Sequence, residues 1–268
     1  MVKKIIMKSY LGLILLFLYL PIVVLIVFSF NKSKSRGNWS GFTLKWYKEL
    51  FENSQIMDSL YTTLLLAILS SIIAVIIGTF AAIGIHNMKK FRKTMVMNLT
   101  YLPVLNPDIV TGVSLMIMFV FIGSIIGLKL GFITMLLAHI TFNIPYVILS
   151  VLPRLRQMNK HMYEAALDLG ATSVYAFRKV IIPEIMPGII SGFLMAFTLS
   201  IDDFVISYFT SGSGVSNLSI TIYSMARTGV KPTINALSTI MFVSVLLLLI
   251  LINIRSAREE KRRKQYDA

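Results

Sequence analysis

"SLYTTLLLAILSSIIAVIIGTFAAIGIHNM", residues 59–88, runs for 30 positions without an Asp, Glu, Lys or Arg. A hydrocarbon core of roughly 30 Å is crossed by about 20 apolar residues in a helix, because helices and closed barrels alone satisfy their own backbone hydrogen bonds in lipid. The segment is therefore a membrane span, and five further runs share its character: Ser9 to Phe30, Ile109 to Ile126, Leu130 to Pro153, Ile185 to Ile201 and Pro232 to Ile254. Barrel strands would be about ten residues long with alternating polarity. The composition agrees, at 56% hydrophobic and 14% charged residues with a mean hydropathy of +0.77. The expectation is an all-α integral membrane protein with six transmembrane helices. The fifth run stops at Asp202 and Asp203 and is read as continuing to about Phe209.

Charge sets the orientation. Lys and Arg number 3, 4, 5 and 6 in the segments on the side holding both termini, and 5, 1 and 2 in the segments on the other. The positive-inside rule places both termini in the cytoplasm of a multi-pass protein of the cell (plasma or inner) membrane. The net charge of +14 lies beside the spans instead of forming one patch with interleaved aromatics, so it fits topology and anionic lipid headgroups, not nucleic acid. With no cysteine, disulfides, thiolate metal sites and cysteine nucleophiles are excluded. Lys3 and Lys4 precede an apolar run too long for a signal-peptide core, which reads as a retained first helix.

One membrane domain emerges, without internal repeats. Residues 1–58 hold the first helix and an outer loop, 59–254 the core, and 255–268 a basic tail. Within the outer loop "FTLKWYKELF", Phe42 to Phe51, mixes aromatics and charges as a short helix at the membrane surface does, or as an ordinary exposed turn of helix would. Pro103, Pro107, Pro145 and Pro187 fall within or at the ends of spans, where they either shape a cavity or simply kink a helix.

Arg154 to Glu184 forms a cytoplasmic loop between the fourth and fifth spans, and it is not a floppy linker. "KHMYEAALDL", residues 160–169, places Met162, Ala165, Ala166 and Leu169 at helical spacing. Gly170 stands where a helix C-cap takes a left-handed residue. Thr172 or Ser173 then caps a second helix, Val174 to Ile181, which Pro183 keeps from running on into the membrane. The expected result is a pair of short helices with a sharp corner, lined by small residues and shaped to enter a partner's groove.

Glu164-Ala165-Ala166, three residues, Gly170, nine residues and Val180-Ile181-Ile182-Pro183 resemble the EAA motif of permease subunits of ABC importers. Val180 and Ile182 stand where the motif has Ile and Leu. The resemblance implies that this loop is the coupling helix, docked on a cytoplasmic ATP-binding subunit by way of Glu164, Ala165, Ala166, Gly170 and Pro183. No glycine in the chain is followed by lysine, so there is no Walker loop to wrap phosphates. The chain itself carries no cofactor, and ATP is bound by a partner ATPase.

Asp202 and Asp203 interrupt the fifth span, where a charge costs on the order of 3 kcal/mol. Adjacent helical residues point about 100° apart, so one carboxylate is expected to face a pathway while the other caps a backbone or pairs with a base. Asp108, before the third span, is read first as an N-cap and second as a further pathway acid. "SIDDFVISYF", "IYSMARTGV" and "INALSTI", within Phe197 to Ile240, are similar to the second, C-type permease of spermidine/putrescine transporters. That family implies a heterodimer with a related permease, two ATP-binding subunits and an extracytoplasmic polyamine-binding protein, with a polycationic substrate. An ABC permease for another solute and, from a different class, an ion-coupled secondary transporter are the alternatives. His86, His139 and His161 lie in separate segments and no protease or esterase motif occurs, so no residue is assigned to catalysis or to a metal.

Overall fold

The computed structural model describes residues 2–33, 38–159, 161–228, 232–247 and 250. The expected tail, 255–268, and the end of the sixth run lie outside the described residues. The regular structure among the described residues is helical, apart from an isolated bridge between Asn31 and Phe42. Among the same residues five helices are long and apolar enough to cross a membrane, and the described part of the sixth run is a shorter apolar helix, α12, Pro232–Leu247.

The chain divides into two compact units. The first holds the described residues of Met1–Met57 and Ile222–Ala268. Its α1, Val2–Ser29, contains a 21-residue span, Ser9–Ser29, in which Ser29 alone is buried. Past Ser29 the chain turns back and enters α2, Lys45–Glu52, which buries Trp46 and Leu50.

The second unit, Asp58–Thr221, is built around α6, Phe132–Gln157. On one side lies α3, Ser54–Asn87, started by Asn53, whose Oδ1 accepts from Ile56 N at 3.1 Å. On another lies α9, Ile182–Asp202, which turns Gly188, Gly192, Ala196 and Ser200 inward at four-residue spacing. Small residues in that register let two backbones approach closely, which is how helices gain packing energy where lipid supplies no hydrophobic drive between them. A Cβ on Gly188 would sit 2.9 Å from Ser150 O, one on Gly192 3.3 Å from Val147 Cα, and one on Gly78 of α3 2.7 Å from Val147 Cγ1. Val147 is thus clamped between α3 and α9. The same three helices share a polar knot: Asn143 Nδ2 donates to Ser200 Oγ at 2.8 Å, and Ser200 and Ser70 hydroxyls lie 3.0 Å apart.

Three features depart from the sequence reading. The connection between the second and third spans is largely a helix, α4, Lys90–Leu105, that packs Met97 into the core. Its opening Lys90, Arg92 and Lys93 hide its apolar remainder from a search for uncharged runs. The fifth span does not run on to Phe209: it ends at Asp202, breaks over residues 203–204, and restarts as α10, Val205–Thr210. Nor does Pro183 separate a short helix from the span. The chain is helical without interruption from Ser173 to Asp202. The first turn is α8, Ser173–Ala176, and a turn of π-helix, Phe177–Ile181, joins it to α9. Ile182 N bonds back five residues to Phe177 O, so Pro183 enters directly after a widened turn, where its ring and missing donor disturb least.

A leucine at Gly188 is expected to overpack the α6–α9 contact and cost about 1–3 kcal/mol. Thermal unfolding of the purified chain should show a lowered midpoint for Gly188→Leu and none for Gly84→Leu, since nothing lies within 4 Å of the Cβ position at Gly84.

Candidate functional site

Two places in the second unit carry chemistry, one at each end of the Ser173–Asp202 helix. At its start stands the corner. Helix α7, His161–Asp168, closes with Gly170 N on Leu167 O at 2.9 Å and Ala171 N on Ala166 O at 3.1 Å, the paired bonds of a Schellman cap. That cap needs a left-handed residue, and Gly170 has φ +85°. Thr172 then opens the next helix, its Oγ1 accepting from Tyr175 N at 3.3 Å. Ala166, Leu169, Gly170, Ala171, Thr172 and Tyr175 line a surface cleft of about 510 Å³. Leu169 is 89% exposed, and Val174, Tyr175 and Met162 are exposed beside it. Glu164 also faces outward, 3.2 Å from His161 Nδ1. Pro183 lies elsewhere, at the start of α9.

At the far end Asp108, Asp202 and Asp203 meet in a cleft of about 290 Å³, with Phe142, Thr198, Leu199, Phe204 and Val205. The break in the fifth span makes this possible, since it turns α10 back against α5, Asp108–Ile126, and α6. The two neighbouring acids have separate fates. Asp203 caps α10: Oδ1 accepts from Ile206 N at 3.1 Å and Oδ2 from Ser207 N at 2.8 Å, while His139 Nε2 lies 3.4 Å from Oδ2. Its side chain is 8% exposed. Asp202 is exposed and, like Asp108, has no Lys, Arg or His paired with it among the described residues.

Asp108 is not the N-cap. Pro107 takes that position, which puts Asp108 in the first helical turn with no capping bond and leaves its carboxylate to the cleft. The sequence reading also missed the residues that hold the break open. Asn217 Nδ2 donates to Asp203 O at 3.2 Å and to Ser207 Oγ at 2.8 Å, and Ser207 Oγ is 2.9 Å from His139 Nε2. Asn217 Oδ1 accepts from Ile220 N at 2.9 Å, capping α11, Leu218–Thr228, and Thr63 Oγ1 of α3 accepts from Leu218 N at 2.8 Å. Backbone groups freed inside lipid must be bonded within the protein, and this network does so for the broken helix. Asn before an apolar run is a legible cap signal, but its second role depends on contacts distant in sequence.

Comparison with known proteins shows what the chain is similar to. Residues 74–264 match the family model for the binding-protein-dependent transport system inner membrane component. The chain is 39% identical over 214 residues to the spermidine/putrescine transport system permease protein PotC of Haemophilus influenzae, covering 80% of this chain and 82% of that one. It is 39% identical over 229 residues to the putrescine transport system permease protein PotI of Escherichia coli, covering 84% and 81%. Among solved structures, a bacterial alginate ABC transporter in complex with alginate pentasaccharide-bound periplasmic protein has the same fold, with a TM-score of 0.74 over 96% of this chain and 94% of that one at 19% identity.

Asp203→Ala is expected to cost about 1–3 kcal/mol, because it strands two helix N–H groups, those of Ile206 and Ser207, in a buried setting. Asp202→Ala should leave the midpoint of thermal unfolding where it is, and equal losses for the two variants would refute this division of labour.

Proposed function

The chain belongs to the family of binding-protein-dependent transport inner membrane components, the permeases of ABC importers, and we propose that its cargo is a polyamine such as spermidine or putrescine. One observation carries the choice: Asp108 and Asp202, with no Lys, Arg or His paired to them among the described residues, line a cleft walled by Phe142 and Phe204. A linear polyamine brings ammonium groups to unpaired carboxylates and methylenes to aromatic faces, and it compensates charges that are costly at membrane depth. The likeness to PotC and PotI supports the same reading. It removes the ion-coupled carrier as the rival class.

The motor is separate. Exposed Leu169, Val174 and Tyr175 around the Gly170 corner suit the groove of a cytoplasmic ATP-binding subunit, of which two copies serve a heterodimer of this chain with a related permease. The corner then transmits nucleotide-driven closure along the Ser173–Asp202 helix to the acids. An extracytoplasmic polyamine-binding protein delivers cargo from the other side, and both termini lie in the cytoplasm. Membrane-bound lipid surrounds the spans; ATP is bound by the partner ATPase and not by this chain.

Cells lacking the chain should regain uptake of radiolabelled spermidine or putrescine when the gene is restored, and only with the partner ATPase present. Asp202→Asn and Asp108→Asn should lower uptake about tenfold or more while leaving the assembled transporter intact, because each removes a negative charge that meets an ammonium group of the cargo. Normal uptake in both would remove the polyamine site. Gly170→Pro should leave ATP hydrolysis running without transport, and full transport in that variant would remove the coupling role.

A further inference from the structure

We infer that the segment joining α1 to α2, together with α2, is an anchor in the headgroup layer of the bilayer, with Trp39, Phe42, Leu44 and Phe51 as the inserted side chains. Its described residues form a built platform. Asn31, 1% exposed, organises it: Nδ2 donates to Asn38 O at 2.8 Å, Oδ1 accepts from Ser40 N at 2.9 Å, and its carbonyl accepts from Trp46 Nε1 at 2.7 Å. Lys32 N bonds Gly41 O and Thr43 N bonds Phe30 O at 2.9 and 2.8 Å, and the Phe30 and Phe42 rings stack 5.3 Å apart. Tyr47 ties α2 back to the end of the span through Ser29, oxygen to oxygen at 2.7 Å.

On this platform four large apolar side chains point outward, Trp39 at 52% exposure, Phe42 at 68%, Leu44 at 57% and Phe51 at 61%. Water alone gives no reason for that. Continuity with the membrane does: Ser9–Ser29 presents an unburied apolar surface to lipid, and the platform is bonded to the first residues past its end. Aromatic rings prefer that depth. The charges fix the kind of surface. Lys45 and Lys48 are matched by Glu49 and Glu52 at 3.5 and 3.9 Å, whereas Lys32, Lys34 and Arg36 have no acid between α1 and α2 to offset them. It is an aromatic clamp, edged by positive charge, that sets the depth of α1.

The chain contains two tryptophans, and Trp46 is buried at 4% exposure, so Trp39 is the probe. The full chain is placed in bilayers of phosphatidylcholine brominated near the headgroup, near the chain ends, or not at all. Shallow bromines should quench a component of the emission more than deep ones, and that component should be lost in Trp39→Phe. Quenching should already be present in phosphatidylcholine alone and should persist when salt is raised, since the aromatic side chains and not the charges hold the anchor. Aqueous iodide removing that component while brominated lipid does not would overturn the anchor, as would quenching that appears only with anionic lipid and is lost in salt. A blue shift of Trp39 only on adding the extracytoplasmic binding protein would overturn it too, and would reassign the patch to that partner.

Discussion

Everything in the second unit depends on how closely α9 lies against α6. In lipid the usual drive to bury apolar surface is absent between helices, so association rests on dispersion contacts and on the few hydrogen bonds that cross the interface. The Gly188, Gly192, Ala196 and Ser200 face supplies the first by letting the backbones meet, and the Asn143–Ser200–Ser70 knot supplies the second. Val147, gripped between Gly192 on one side and Gly78 on the other, joins α3 to the same block. Three spans therefore behave as one body, and α9 cannot slide without carrying the others.

From this fixed axis the two working ends follow. The helix that begins at the Gly170 corner is uninterrupted for 30 residues, Ser173–Asp202, which at 1.5 Å per residue is about 45 Å. It starts among exposed apolar side chains and stops at the acids. The stop is as informative as the run. Asp203 leaves the helix, caps the next one and is held by His139, Ser207 and Asn217, so its charge is used in construction. Asp202, one residue earlier and still helical, keeps its carboxylate for the cleft. Two identical side chains thus do different work because the backbone breaks between them.

How much of this was legible in the sequence follows from the range of the forces involved. The spans were legible because lipid imposes its demand on every residue in turn, and Gly170 because a left-handed cap is a local requirement. The acids announced themselves as charges in the wrong solvent, and even the division between a capping and a free carboxylate followed from helical geometry. The α4 helix was hidden by three cations at its start. Pro183 was misread because its tolerance depends on a π turn, which no residue type specifies. Asp108 was misread as a cap for want of one position: Pro107 stands where the cap belongs. The Asn217–Ser207–His139 network joins residues up to 78 positions apart, Asn217 and His139 through Ser207, and no local pattern encodes it.

The most direct test of the Ser173–Asp202 helix as a rigid link is a distance along it. The chain has no cysteine, so spin labels go only where they are introduced, at Val174 and Met195, which are 68% and 48% exposed. Their backbones are about 32 Å apart if the helix is continuous. Electron–electron double resonance on the assembled transporter, without nucleotide and with ATP bound, should return one narrow distance near that value in both states. Two distances, or one that changes with ATP, would show that the π turn is a hinge and that the corner's motion does not reach the acids through α9.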